Sequence, residues 1–224
     1  MNKRAVFFDL DNTLYDYTNY YSGVLRKISE YLSKKYKLSL EEVYTTGMNL
    51  FREKTSRYPK FFNDLLKIFN IPQSEVTICL EMFNNYSEKL SPYEDVVSTL
   101  EELKNKGYIL GIITDGNPKR QKKKIKLLGL EGYFDIVVFT YSLDSPKPSS
   151  IPYRYALEKT GVQPSFAYYI GDDPRVDFKG AKEVGMTTIR ILRGEFRDIP
   201  KNKYIDFEIN NFIKIFKIIN NRDE

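Results

Sequence analysis

Beyond Pro92 the chain repeats one pattern: a short apolar run, a turn, then a segment whose apolar residues recur at helical spacing. Strand-like runs fall at about 108–113, 134–140, 166–171 and 186–192, and helix-like segments near 118–128, 152–160 and 176–184 separate them. A helix near Glu94 to Lys106 ends at Gly107, a residue suited to the left-handed turn that closes a helix. A weaker run, Tyr204 to Ile209, precedes a closing helix rich in Ile and Phe. This alternation implies an α/β fold with a parallel sheet covered on both faces and right-handed crossovers. The N-terminal run Arg-Ala-Val-Phe-Phe-Asp at 4–9 has the same buried character and belongs in that sheet.

The stretch between this first strand and Pro92 is different. From about Thr18 to Leu90 it reads as four helices with no convincing strand. The first carries Val24, Leu25, Ile28, Tyr31 and Leu32 on one face. The second opens at Ser39, which with Glu42 fits a capping box. The third follows Pro59 and ends near Asn70, and Ser74 is the expected cap of the fourth. The expected organisation is therefore a core of residues 1–16 and 91–224, doubly wound, with a helical cap of residues 17–90 inserted after strand one.

Composition removes several kinds of chemistry. The 224 residues contain no histidine, which excludes Ser-His-Asp and Cys-His nucleophile systems and every histidine metal site. Any metal site must be built from oxygen, which favours Mg²⁺, Mn²⁺ or Ca²⁺. The single cysteine, Cys79, excludes an intramolecular disulfide and reads as an inert buried thiol, with no adjacent basic residue to activate it. The longest apolar runs, such as Ala5 to Phe8 and Ile136 to Phe139, fall far short of the roughly 20 residues of a membrane span. No signal peptide precedes the first strand, so the expected location is the cytoplasm, away from membranes. The net charge is +5, and Lys119, Arg120, Lys122, Lys123, Lys124 and Lys126 cluster. With Ile125, Leu127 and Leu128 as the buried side, the cluster reads as a solvated helix face. No aromatic interleaving suggests base stacking, so no nucleic-acid partner is expected.

Four features carry chemistry, each at the C-terminal end of an expected strand, where open parallel sheets bind their ligands. Asp9-Leu10-Asp11-Asn12-Thr13 leaves the first strand. Asp9 can attack phosphorus as a carboxylate nucleophile. Asp11 can protonate the leaving oxygen and later deprotonate the hydrolytic water. Thr114 can bind a phosphoryl oxygen, and the amides of the Asp115-Gly116-Asn117 turn can form an anion-binding site. Lys147 can neutralise charge on the transferring group and on Asp9. Gly171-Asp172-Asp173-Pro174-Arg175-Val176-Asp177 offers Asp172 as a metal ligand and Asp177 either as an acid standing behind the metal ligands or as an orienter of Lys147, with Asp173 read as a turn or cap residue. Carboxylates converging from adjacent strands repel by roughly 4 kcal/mol per pair at 4 Å and an effective dielectric of about 20. A dry cluster then needs a divalent cation or a raised pKa, and Mg²⁺ suits a site with few carboxylates and a substrate phosphate.

These residues resemble the haloacid dehalogenase-like superfamily in its phosphatase branch. All four superfamily motifs occur in order: Asp9 and Asp11 with Thr13, Thr114, Lys147, then Asp172 with Asp177. The run Gly111 to Pro118 is similar to that of archaeal members described as hydrolases or glyceraldehyde-3-phosphate phosphatases. The resemblance implies a Rossmann-like core and a phosphoaspartate at Asp9. It implies Mg²⁺ held by Asp9, the backbone carbonyl of Asp11, and Asp172. Thr114 and Lys147 would hold the phosphoryl oxygens. True dehalogenases of the superfamily lack an acid two residues after the nucleophile, so Asp11 points to phosphate chemistry. Two departures fall on the lysine loop: Ser149-Ser150 replaces the usual Asp-Pro or His-Pro, and Ser142 to Pro146 lacks the frequent Glu-x-Gly.

The expected substrate is a small phosphorylated metabolite such as a sugar, triose or nucleoside monophosphate. Tyr15, Asp16, Tyr17, Tyr20 and Tyr21, with Arg52, Lys54 and Arg57 of the cap, are the residues available to select it, although each aromatic also fits simple packing. A phosphomutase would use the same site without water. A phospho-receiver domain or a binding protein with a degraded site remains an alternative from another class.

Overall fold

The structure, a computed structural model, describes residues 3–223, with side chains through residue 220. Residues 1, 2 and 224 of the expected core lie outside the described residues. The elements are β1 (Ala5–Phe8), α1 (Tyr17–Tyr36), α2 (Leu40–Lys54), α3 (Phe61–Ile68), α4 (Glu75–Asn85), α5 (Val96–Asn105), β2 (Ile109–Thr114), α6 (Pro118–Leu127), β3 (Ile136–Phe139), α7 (Ile151–Thr160), β4 (Ala167–Gly171), α8 (Phe178–Glu183), β5 (Thr187–Ile191), β6 (Phe207–Ile209) and α9 (Ile215–Asp223). The chain divides into two compact units, one of Met1–Tyr17 with Lys89–Glu224 and one of Thr18–Glu88.

The larger unit is a Rossmann-like α/β fold. Its six strands lie in the order β3-β2-β1-β4-β5-β6, every neighbouring pair parallel. From β1 the chain winds outward through β2 to β3, then returns to the other side of β1 for β4. The winding therefore reverses between β1 and β4, and a crevice for ligands opens outside their carboxyl ends. β1 is buried along its whole length, as expected for a central strand covered on both faces. One face packs Phe7, Ile113, Tyr153, Tyr169 and Phe178 into a core cluster. On another side Phe8 meets Phe134 and Phe212 edge-on, at 6.2 and 5.7 Å between ring centroids. Each such side chain contributes about 1.5–3 kcal/mol on burial.

The smaller unit holds the four helices of the expected cap. Ser39 caps α2, its hydroxyl accepting from the Glu42 amide at 3.4 Å. Ser74 occupies the capping position of α4 but makes no side-chain cap bond. The Glu75 and Val76 amides are instead satisfied by the carbonyls of Pro72 and Gln73. Tyr21 stacks on Phe51 at 4.1 Å and meets Phe61 and Phe83 edge-on. Tyr20 is buried against Phe83 and Tyr86, its hydroxyl donating to the Phe83 carbonyl at 2.5 Å. Both tyrosines thus serve packing. Arg52 bonds Asn49 at 3.1 Å and Lys54 pairs with Glu53 at 2.7 Å.

Cys79 is fully buried on α4, and burial, aided by the charge of Glu75, pushes its thiol up to about 12. The folded protein should therefore react with an alkylating reagent at neutral pH about 10³-fold more slowly than the denatured chain. Mass spectrometry against time in native and denaturing buffer measures this. Equal rates would show that α4 opens freely.

Candidate active site

Asp9 directly follows β1. Its amide donates to the Ile170 carbonyl at 2.8 Å, so the β1–β4 ladder runs to its last residue before the strands part. Asp172 directly follows β4, and Thr114 is the last residue of β2. Lys147 comes from the loop between β3 and α7, and Asp177 from the start of α8. All are buried.

The lysine sits between two carboxylates. Lys147 Nζ lies 2.5 Å from Asp9 Oδ1 and 2.6 Å from Asp177 Oδ1, with the Tyr169 hydroxyl at 3.4 Å. Asp177 also receives the Asp172 and Asp173 amides on Oδ2, at 3.0 and 2.9 Å. One side chain therefore fixes both the ammonium and the loop that carries Asp172. Gly171 makes this approach feasible, since a Cβ there would stand 2.4 Å from Asp177 Oδ2. Asp173 is a turn residue, gripped by the backbone and guanidinium of Arg175.

The lysine loop is held from two directions. Asp115 Oδ1 accepts from the Thr140 hydroxyl at 2.7 Å and from the Lys147 amide at 3.0 Å. On the other side, the Pro148 and Ser149 carbonyls lie against Gly180 of α8, where a Cβ would meet them at 2.7 and 2.5 Å. The Ser149-Ser150 departure thus leaves Lys147 seated on Asp9. Gly180→Ala must push this loop away. It should cost about 1–3 kcal/mol in stability and about 10²-fold in turnover through displacement of the lysine, read from a melting curve beside a phosphatase assay.

Asp9, Asp172 and Asp177 each offer an oxygen, these lying within 4.8 Å of one another. Burial pushes the Asp9 carboxyl up to about 7 against the pull of Lys147, with Asp177 and Asp11 adding to the rise. Burial, then Asp177, Asp9 and Asp173, hold Asp172 well above the usual carboxylate range. Burial lowers the Lys147 pKa, but Asp177, Asp9 and Asp115 outweigh it, so the ammonium is held charged. The site therefore has more carboxylate than its one ammonium can balance. Asp172 Oδ1 accepts from the Thr13 hydroxyl at 3.3 Å, whereas Oδ2 is buried without a partner. An all-oxygen set with an orphaned carboxylate oxygen fits a divalent cation. Both Asp177 oxygens are already engaged, so Asp9 and Asp172 are the side chains that fit one.

Asp11 keeps other company. Its carboxylate meets Lys124 Nζ at 2.8 and 2.9 Å, Gln121 Nε2 at 3.1 Å and the Tyr15 hydroxyl at 2.5 Å. Burial would raise its pKa, but Lys124, Tyr15 and Gln121 together hold it low. Its side chain is outside the carboxylate triad, and the resemblance implies its backbone carbonyl, not its carboxylate, as a group toward an ion. The expectation of a solvated lysine face fails at Lys124. Lys119, Lys122 and Lys126 are exposed, but Lys124 is buried, its ammonium also lying 4.5 Å from the centre of the Tyr17 ring. Burial lowers its pKa to about 8 despite Asp11. Gln121 Nε2 additionally donates to the Thr114 hydroxyl at 2.8 Å. In the 115–117 turn, Gly116 has φ +110 and Asn117 caps α6 through the Lys119 and Arg120 amides. The side chains of Asp115 and Asn117 therefore serve the fold, leaving the turn's amides as its groups for an anion.

The sequence profile of the haloacid dehalogenase-like hydrolases matches residues 6–191, most of the chain. The chain belongs to that family. The hydrolase is 32% identical to a glyceraldehyde 3-phosphate phosphatase of Methanocaldococcus jannaschii, over 97% of each chain. It is 30% identical to another of that name from Methanopyrus kandleri, over 96% of this chain and 97% of the relative. Among solved structures it resembles a haloacid dehalogenase-like phosphatase from Thermococcus onnurineus, with 31% identity, a TM-score of 0.69, and coverage of 96% of this chain and 97% of that one. The hydrolase is a phosphatase. Among its described residues no helix is long and apolar enough to cross a membrane.

Proposed function

We propose that this phosphatase is Mg²⁺-dependent and hydrolyses a small phosphorylated metabolite through an aspartyl phosphate at Asp9. The observation that carries the reading is the buried Lys147 ammonium shared by Asp9 and Asp177 at the switch point of the sheet. A carboxylate nucleophile needs cationic help to approach an anionic phosphate. Asp9 and Asp172, with the Asp11 carbonyl, would hold Mg²⁺, which when bound supplies charge neutralisation for the carboxylates and the phosphate.

In the first step Asp9 attacks phosphorus, the bond from phosphorus to the ester oxygen breaks, and Asp11 gives its proton to that oxygen. Asp11 is ionised as the structure stands. Arrival of a phosphate dianion beside it adds like charge, which favours its protonated form. In the second step the Asp11 carboxylate takes a proton from water as the water attacks the acyl phosphate, releasing inorganic phosphate and restoring Asp9. Thr114 and Lys147 steady the phosphoryl oxygens in both steps, and Thr13 steadies Asp172. Asp177 aims Lys147. The helical unit is the cap of this proposal. A cytoplasmic location belongs to the same reading.

The names of the similar archaeal phosphatases make glyceraldehyde 3-phosphate the first substrate to try, ahead of a hexose phosphate and a nucleoside monophosphate. The test is phosphate release from each ester with Mg²⁺ and with a chelator. Release that needs Mg²⁺ and differs among the esters supports the reading. Release undiminished by the chelator overturns the metal assignment, and none from any ester by folded protein overturns the activity.

A further inference from the structure

Lys124 should not be buried. Its neighbours in the helix, Lys122 and Lys126, reach water, and an apolar residue at position 124 would pack with less desolvation cost than an ammonium. Instead its side chain is 1% exposed and its ammonium is spent on Asp11, whose own side chain is 28% exposed. Gln121, one turn earlier on the same face of α6, donates from Nε2 both to Asp11 and to the Thr114 hydroxyl, and its Oε1 is buried without a partner. The amide orientation is decided by Asp11, because the flipped form would set an oxygen against the carboxylate. Tyr15, four residues along the same loop, donates to Asp11 from the other end. Three donors from two elements thus fix a carboxylate that would otherwise turn freely at a partly open position.

We propose that Lys124 and Gln121, completed by Tyr15, are positioning residues that aim the Asp11 carboxyl at the leaving oxygen and tie it to the phosphoryl-binding Thr114. The proposal rests on the acid–base role of Asp11 given above. It makes one face of α6, through side chains that touch neither phosphorus nor cation, part of the machinery of proton transfer.

A general acid matters most when the leaving group is poor. An alkyl phosphate needs its departing oxygen protonated, whereas a nitrophenyl phosphate departs as a stabilised anion. The experiment measures kcat/KM, which reports the steps through the departure of that group, for glycerol phosphate and nitrophenyl phosphate. The proteins are the unaltered enzyme, Lys124→Met, Gln121→Met, Lys124→Arg and Asp11→Asn, with Lys124→Met also placed on Asp11→Asn. Lys124→Met and Gln121→Met are expected to lose about 10²-fold on the alkyl ester and less than about fivefold on the aryl ester. Lys124→Arg should recover part of the alkyl activity, and Lys124→Met should cost nothing more once Asp11 is Asn. Equal losses on both esters, or a full further loss on the Asp11→Asn background, would overturn the proposal while leaving the phosphatase reading intact. If the unaltered enzyme cleaves neither ester nor the metabolite panel, both fall together. Either methionine variant alone suffices should the other fail to fold.

Discussion

Asp9→Asn is expected to abolish phosphate release from every ester, by on the order of 10⁴-fold or more, while leaving the protein at least as stable as before. Asn cannot form an acyl phosphate. Yet it keeps an oxygen to accept from Lys147, which retains Asp177 at 2.6 Å. The stability effect has a sign that pH reveals. Burial raises the Asp9 carboxyl from an ordinary 3.8 to about 7. Between those values the folded state binds more protons than the unfolded state, so this group's contribution to stability falls as pH rises through the window. In chelator the unaltered protein should therefore lose ground to Asp9→Asn between about pH 4 and pH 7, read as the difference of their Tm values. A divalent cation should close that gap. A gap that widens on adding the cation would contradict the placement of Asp9 in its site.

The largest expected loss of stability comes from Lys147→Met. The side chain would still fill its space, but two buried carboxylates would lose the cation they share. Removing one partner of a buried ion pair typically costs about 3–5 kcal/mol, and for a chain of this size that lowers Tm by roughly 6–20 °C. Turnover should fall by about 10³-fold, since the group that neutralises both Asp9 and the phosphate is gone. The thermal loss should be smaller at pH 5 than at pH 8, because Asp9 can take up a proton in place of the ammonium. A Lys147→Met protein that melts within about 2 °C of the parent at pH 8 would show that the lysine is not the balancing charge.

The sheet was legible because β1, β2 and β4 are covered on both faces, which forces near-continuous apolar runs, and the chemical side chains sit where those runs stop. The same reading brought Asp9, Thr114, Lys147, Asp172 and Asp177 to strand ends and adjoining loops. What it missed is held by long-range pairing. Lys124 lies 113 positions from Asp11, and in a helix that is half lysine nothing local distinguishes it from Lys122. A weak signal existed: Gln121, Lys124, Ile125 and Leu128 follow the spacing of a single buried helix stripe, so two polar residues stand on the apolar side. Asp115 belongs to the turn whose amides are expected to bind an anion, and sequence gives no sign that its carboxylate also ties Thr140 to the Lys147 amide, a loop-to-loop contact without sequence periodicity. The left-out residues also include Arg190, buried on β5 and bonded to the carbonyls of Asp172, Ile199 and Phe196, which reads in sequence as an ordinary charged position.

The central claim is covalent: phosphorus passes through Asp9. The most direct test is to quench the enzyme during turnover of glyceraldehyde 3-phosphate or another accepted ester, reduce with borohydride, and map the peptides by mass spectrometry. An acyl phosphate is reduced to an alcohol, so the account predicts that one residue, Asp9, is converted, and that nothing is converted without substrate or in Asp9→Asn. Conversion at Asp11, Asp172 or Asp177, or rapid turnover with no converted residue, would contradict it.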